Sequence, residues 1–148
     1  PSRPTTQKQN LIGLAQARHP QKMFRVDHEN AEPISHATAG GLLEAFRRLV
    51  AHADVVCIED YNKGVCTEEV CQGVIRAARD AGKPVLVDPA RLSDYRKYRG
   101  ASVITPNRTE AETATGLRTA HDAPESEHNA RIAHVFRESL QHPRVDPL

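Results

Sequence analysis

Aromatic residues are scarce in this chain. It has no tryptophan, three tyrosines and three phenylalanines, 4% of 148 residues, so a core built from its 39% hydrophobic content must be aliphatic. Cysteine is scarce too. Cys57, Cys66 and Cys71 form an odd set without a Cys-x-x-Cys pair, which argues against a disulfide scaffold or a zinc ribbon and fits a reducing cytoplasm. Cys57 falls inside an apolar run and is expected as a small core residue; Cys66 and Cys71 are expected to be structural. The eight histidines are scattered and contain no His-Glu-x-x-His, so solvent-facing histidine is the simplest reading. A net charge of only +1 removes the electrostatic case for nucleic acid or an anionic membrane. No apolar run approaches the ~20 residues of a membrane span. The lead-in Pro1-Ser2-Arg3-Pro4-Thr5-Thr6 has no apolar signal-peptide core. Absent also are the P-loop pattern, the dinucleotide fingerprint Gly-x-Gly-x-x-Gly and the Gly-x-Ser-x-Gly nucleophile elbow.

What is present is a set of short apolar runs, each ending at polar or acidic residues. Val55-Val56-Cys57-Ile58 leads into Glu59-Asp60. Val85-Leu86-Val87 leads into Asp88-Pro89. Ser102-Val103-Ile104 leads into Thr105-Pro106-Asn107, with Glu110 and Glu112 beyond. Continuous runs of this length suit strands of a parallel sheet buried on both faces. Right-handed crossovers then gather the C-terminal strand ends on one edge, where ligands of open α/β sheets bind. Asp60, Asp88, Asn107 and Glu110 are expected to meet there.

The rest of the chain fits around that sheet. Asn10–Ala15 and the alternating Lys22–Glu29, separated by His19-Pro20-Gln21, predict a two-stranded ribbon with a half-buried face. Glu32-Pro33 breaks it. Ser35 is placed to cap a helix over Thr38–His52, with Leu42, Phe46, Leu49, Val50 and Ala53 as its apolar stripe. Thr67 caps a second helix, with Glu68 and Glu69 in its first turn and a stripe of Val70, Val74, Ile75, Ala78 and Ala81. Gly82 and Pro84 stop it. The charged segment Arg91–Arg99 predicts a short helical turn on the surface. A helix from Asn107 or Thr109 runs to Thr115 and is closed by Gly116. The tail 118–148 differs in character, with a helical pattern over Ala130–Leu140.

By spacing alone, the chemistry stays open. Asn107 and Glu110 share one face at a helix start, where an amide and a carboxylate can hold a hydrated magnesium ion against phosphates. Simple helix capping explains the same spacing. Lys63 can meet an anionic group as a point charge, or can be a turn lysine before a left-handed Gly64. Asp60 and Asp88 can be ligands or caps of their loops.

The ordered motifs resemble a known family. Ala53 through Val65 (with Asp60-Tyr61-Asn62-Lys63-Gly64), Ala81 through Pro89, Tyr98-Arg99-Gly100-Ala101 and Thr105 through Glu112 closely resemble the ribokinase-like sugar kinases of the phosphofructokinase-B type. The nearest branch is similar to heptose-7-phosphate kinase, the kinase half of the bifunctional ADP-heptose synthesis protein. Arg3-Pro4-Thr5-Thr6 with Lys8, and Arg25-Val26-Asp27, fit that branch, whereas residues after 117 match poorly.

The resemblance implies a three-layer ribokinase-like α/β fold, present in part, with a mostly parallel sheet and an N-terminal lid-type ribbon. Residues 1–117 would be the central part of a sugar-kinase domain, with the ribbon at about 10–30 and the core at about 35–117. It implies transfer of the ATP γ-phosphate to a sugar or sugar phosphate with Mg2+, in the cytoplasm. Asn107, Glu110 and Asp88 would serve ATP, with Asn107 and Glu110 ordering the metal; Asp60, Lys63 and Gly64 would line the sugar side. No catalytic base is assigned, because the family's Gly-Ala-Gly-Asp segment has no equivalent before Leu148. Its glycine-rich sugar-binding segment lies upstream. The chain begins without methionine, as a piece of a longer protein would, and is expected to be inactive alone. Relatives carry lysine after Asp-Pro where this chain has Ala90 and then Arg91, which implies a lost or shifted phosphate contact. Exposed sheet edges in so short a chain invite a homodimer. Two other readings stand beside the kinase: a truncated, non-catalytic binding or assembly module, and a receiver-like α/β metal-binding module.

Overall fold

The structure, a computed structural model, describes residues 3–14, 19–116, 118 and 134. The chain forms two units, Pro1–Glu32 and Pro33–Leu148. In the first, β1 (Gln7–Gly13) and β2 (Gln21–His28) pair antiparallel, from Gln7 opposite His28 to Gly13 opposite Gln21, with a register shift between Leu11 and Ile12. The ribbon is as expected, although β1 starts earlier than its apolar residues do. The half-buried face is not: Phe24 is 53% exposed and Val26 36%. A two-stranded ribbon by itself has nothing to cover either face.

The second unit alternates helices and strands. α1 (His36–Leu49) starts at Ser35, whose Oγ accepts from the Thr38 N–H at 3.2 Å. β3 (Val56–Glu59), α2 (Glu68–Asp80), β4 (Val85–Asp88), β5 (Val103–Ile104) and α3 (Arg108–Thr115) follow. The strands form a parallel sheet in the order β3-β4-β5, with Val56 opposite Val85 and Leu86 opposite Val103. α2 is bounded as its sequence dictates. Thr67 Oγ1 accepts from the Val70 N–H at 3.2 Å. At the other end Gly82, at φ +67°, lets its own N–H reach the Arg79 carbonyl at 2.9 Å and that of Lys83 reach Ala78 at 2.8 Å. Those paired reversals satisfy carbonyls that the last helical turn leaves open.

The core lies on one face of the sheet. Val56, Ile58, Val85 and Val87 point into it and meet Ala39, Leu43 and Val50 from the α1 region and Val70, Val74, Ile75 and Ala78 from α2. The strands are therefore not buried on both faces: Cys57 and Leu86 alternate outward, and Cys57 is exposed rather than a core residue. Among the described residues helices cover one side only, two of the three layers expected. The α1 stripe is corrected in the same way. Leu42 and Leu49 are 42% and 66% exposed, while Ala39, Leu43, Phe46 and Val50 form the seam. Leu42 and Leu43 are both leucine, so periodicity could not choose between them.

The segment 91–99 holds a larger correction. It contains a short 3-10 turn, Arg96–Tyr98, but it is not merely superficial. Tyr95 and Tyr98 are buried, their rings edge to face with centroids 5.5 Å apart. In a chain with so few aromatics, two of them close this end of the core. The helix expected over 130–140 falls almost wholly outside the described residues.

α1 and α2 approach closely at Gly73, where an added Cβ would lie 2.6 Å from Leu43 Cδ2. Gly73→Ala gains helix propensity of at most ~1 kcal/mol but overpacks this contact, and such overpacking typically costs about 1–3 kcal/mol. Urea unfolding should show a net loss. Combining it with Leu43→Ala should bring a loss smaller than the sum of the two single changes.

Candidate functional site

The parallel sheet brings the ends of β3 and β4 and the turn after β5 to one edge. An open cleft of about 370 Å³ lies there, lined by Asp60, Tyr61, Asn62, the Asp88–Arg91 segment, Asn107 and Glu110. Asp60, Asp88, Asn107 and Glu110 thus share one cleft. Lys63 and Gly64 belong to the same loop as Asp60 but do not line it. Gly64 adopts φ +74° and its carbonyl accepts from the Ile34 N–H at 2.9 Å, as a turn glycine does.

Asp60 turns its carboxylate inward; the side chain is only 2% exposed. It accepts from Tyr98 Oη at 2.6 Å, from the Asn62 N–H at 2.7 Å and from Lys97 Nζ. Lys97 Nζ also donates to the Cys66 carbonyl at 3.0 Å and sits 5.1 Å from the centre of the Tyr98 ring. Tyr98 Oη in turn accepts from the Ala90 N–H at 3.2 Å. Burial pushes the Asp60 carboxyl pKa upward, but the bonds from Lys97, Tyr98 and Asn62 outweigh it and hold the group below the usual carboxylate range. Burial and the bond to Asp60 push the Tyr98 hydroxyl well up, so it stays protonated and donates. Asp60 lines the cleft through its loop, with its charge met inside the protein.

Sequence reasoning missed Lys97 and Tyr98. The signal was there in weak form: two of only three tyrosines, three residues apart, in a segment otherwise charged. Nothing local says that they reach back 37 and 38 residues to Asp60.

At the start of α3, Asn107 Oδ1 accepts from the Glu110 N–H at 3.0 Å, and Glu110 Oε2 accepts from the Asn107 N–H at 2.8 Å. This reciprocal pair is a capping box. The spacing has a structural explanation, and any ligand role would be additional to it. Burial, with help from the Glu110 charge, pushes the nearby Tyr95 hydroxyl up to about 12. Asp88 is exposed at the end of β4, and Arg91 Nε donates to Thr113 Oγ1 at 3.2 Å. Among the described residues no group of three or more His, Cys, Asp or Glu is arranged to hold a metal ion. Besides Asp60, whose charge is met inside the protein, the cleft offers the carboxylates of Asp88 and Glu110 and the amides of Asn62 and Asn107. Such a set suits magnesium, which keeps several waters and is completed by substrate phosphates.

Residues 17–138 match the model of the pfkB family carbohydrate kinases. The chain belongs to that family. It is 44% identical over 121 residues to the bifunctional protein HldE of Wolinella succinogenes, covering 82% of this chain and 24% of that protein. It is also 44% identical over 132 residues to HldE of Caulobacter vibrioides, covering 89% and 26%. The chain therefore spans about a quarter of the length of the curated relatives it matches. Arabidopsis thaliana ribokinase, solved with ribose and ATP, shares the fold at a TM-score of 0.52 and 17% identity, covering 90% of this chain and 40% of that one. A protein named Sa239 does so at 0.57 and 15%, covering 88% and 39%. The ribokinase-like α/β fold is thereby shown, and the receiver-like alternative falls away. No helix among the described residues of this pfkB-family chain is long and apolar enough to cross a membrane.

The Asp60 network makes definite predictions. Lys97→Met leaves a buried carboxylate without its counter-ion and should cost about 3–5 kcal/mol in urea unfolding. Tyr98→Phe removes one bond and orphans the Ala90 N–H, and should cost about 1–3 kcal/mol. Because the folded pKa of Asp60 is depressed, its contribution is complete above about pH 4 and is lost as pH falls through the folded value. Stability should therefore drop in acid, and Asp60→Asn should flatten that limb of the curve.

Proposed function

We propose that this chain is the central part of an ATP-dependent carbohydrate kinase that transfers a γ-phosphate to a hydroxyl of a sugar or sugar phosphate. The HldE relatives favour a heptose phosphate as the substrate. The observation that carries the reading is the cleft in which Asp88, Asn107 and Glu110 meet beside the start of α3. Phosphoryl transfer depends on positioning and on stabilising charge, and these groups suit both tasks. Asp88 and Glu110 would offer oxygen to a hydrated magnesium ion, with the Asn107 amide beside them. Magnesium would supply charge neutralisation of the phosphates. The positive end of α3 favours phosphate, and Arg91, one residue past Ala90, adds a cation on the cleft wall. The Asp60–Gly64 loop, braced by Lys97 and Tyr98, would form the sugar side, with Lys63 as a point charge toward an anionic substrate.

By the resemblance, the base and anion hole belong to a Gly-Ala-Gly-Asp segment that these 148 residues do not contain. Alone, it should release no ADP in response to sugar; sugar-dependent release above background would contradict that. A second reading has one observation in its favour. Asp60 and the Asn107–Glu110 pair are already satisfied inside the protein, as in a module that binds or assembles without turnover.

The two readings separate in a chimera that replaces the matching segment of Caulobacter vibrioides HldE with this chain. Glu110→Gln keeps a side chain able to complete the capping box but removes the charge. If Glu110 orders the metal, half-maximal kinase activity should need about 10–100-fold more magnesium, the range seen when a group supporting a bound metal is lost. An unchanged magnesium dependence in Glu110→Gln and in Asn107→Ala would leave those residues with capping alone.

A further inference from the structure

Thr67 caps α2, so Cys66 is the residue just before the cap and Cys71 the fourth inside the helix. These two positions face each other across a helix start and ordinarily hold an apolar pair that fixes the entry of the chain. In this protein both are cysteine. Cys71 is fully buried in the core, and Cys66, partly exposed, packs against the same cluster. Both side chains thus belong to one packed cluster at the helix entry, and Cys66 Sγ lies 3.9 Å from the Glu59 carbonyl oxygen. Both are free thiols.

We propose that Cys66 and Cys71 form a modification site, an oxidisable dithiol that a hydroperoxide converts into an intramolecular disulfide. The Cys66 thiolate attacks one peroxide oxygen, giving a sulfenic acid and releasing water or an alcohol. The Cys71 sulfur then attacks the Cys66 sulfur, the S–S bond forms, and water leaves. Two thiols lose two hydrogens while the peroxide is reduced. The pair is asymmetric in the sense this order needs. Cys66 is the one reached by solvent. The neighbouring Cys71 thiol, as a donor, holds the Cys66 pKa below its ordinary value against the opposing effects of burial and the Asp60 charge, and Lys97 assists. The neighbouring Cys66, together with burial, pushes Cys71 well up. Cys57 lies exposed on the sheet face away from the core and belongs to neither step.

The site adjoins the candidate cleft. The Cys66 carbonyl is one of the two acceptors of Lys97 Nζ, and the other is Asp60. A disulfide would pin the turn between the Asp60–Gly64 loop and α2. Disulfides in reducing compartments are mostly transient and redox-sensing, which suits a bond of this kind. None of this chemistry requires the kinase reading.

The test uses the intact, reduced chain. It is treated with hydrogen peroxide, its remaining thiols are alkylated, and it is digested with trypsin without reductant. Cleavage after Lys63 and Arg76 releases residues 64–76 with both cysteines, while Cys57 leaves on residues 49–63. The 64–76 peptide should be lighter by two hydrogens and carry no alkyl group, and dithiothreitol before alkylation should restore both thiols. In Cys71→Ser, oxidation should stop at a Cys66 sulfenic acid that dimedone captures. Two alkyl groups on the 64–76 peptide after Cys57 has been consumed would overturn the proposal. So would Cys66 sulfinic acid beside an alkylated Cys71. The mapping of the unsubstituted chain decides the matter whether or not the variant folds.

Discussion

A carboxylate withdrawn from water must be met by donors, or its burial costs several kcal/mol. Asp60 is such a group, and the way it is met organises one edge of the molecule. Its donors come from its own loop, through Asn62, and from the segment between β4 and β5, through Lys97 and Tyr98. Tyr98 in turn holds the Ala90 N–H beyond β4. Two walls of the cleft are thereby fastened to each other through one charge. A network of this type is demanding, because each member satisfied alone would leave another exposed to an apolar surrounding.

The cleft is a product of topology as much as of chemistry. Parallel strands joined by helical and irregular crossovers bring their C-terminal ends to one side, and the backbone itself ties them: the Asp60 N–H donates to the Asp88 carbonyl at 3.0 Å. The capping box of α3 fixes Asn107 and Glu110 against the same edge. In the proposed kinase reading, a rim tied together in this way would serve to position phosphates and charge. The cysteine pair at the start of α2 stands next to that rim, joined to it through Lys97.

The sheet has one covered and one open face among the described residues. Val56, Ile58, Val85 and Val87 are buried, while Val55 and Val103 stay 43% and 49% exposed. Both sets read alike in the sequence, as apolar runs without alternation. A run of that kind states that both faces tolerate burial, and only the neighbouring layers settle which face receives it.

Features that act over a few residues were determined by the sequence itself. The Thr67 cap, the Gly82 reversal, the Asn107–Glu110 spacing and the order of strands and helices rest on local hydrogen bonds, backbone sterics and apolar periodicity, and motif order was enough to indicate the sugar-kinase family. Tertiary structure decided the rest. It chose Leu43 over Leu42, turned Cys57 outward, drew Tyr95 and Tyr98 into the core, and gave Asp60 its partners from far along the chain. Those outcomes depend on which surface covers another and on which donors arrive together in space, and neither is encoded within any short window of residues.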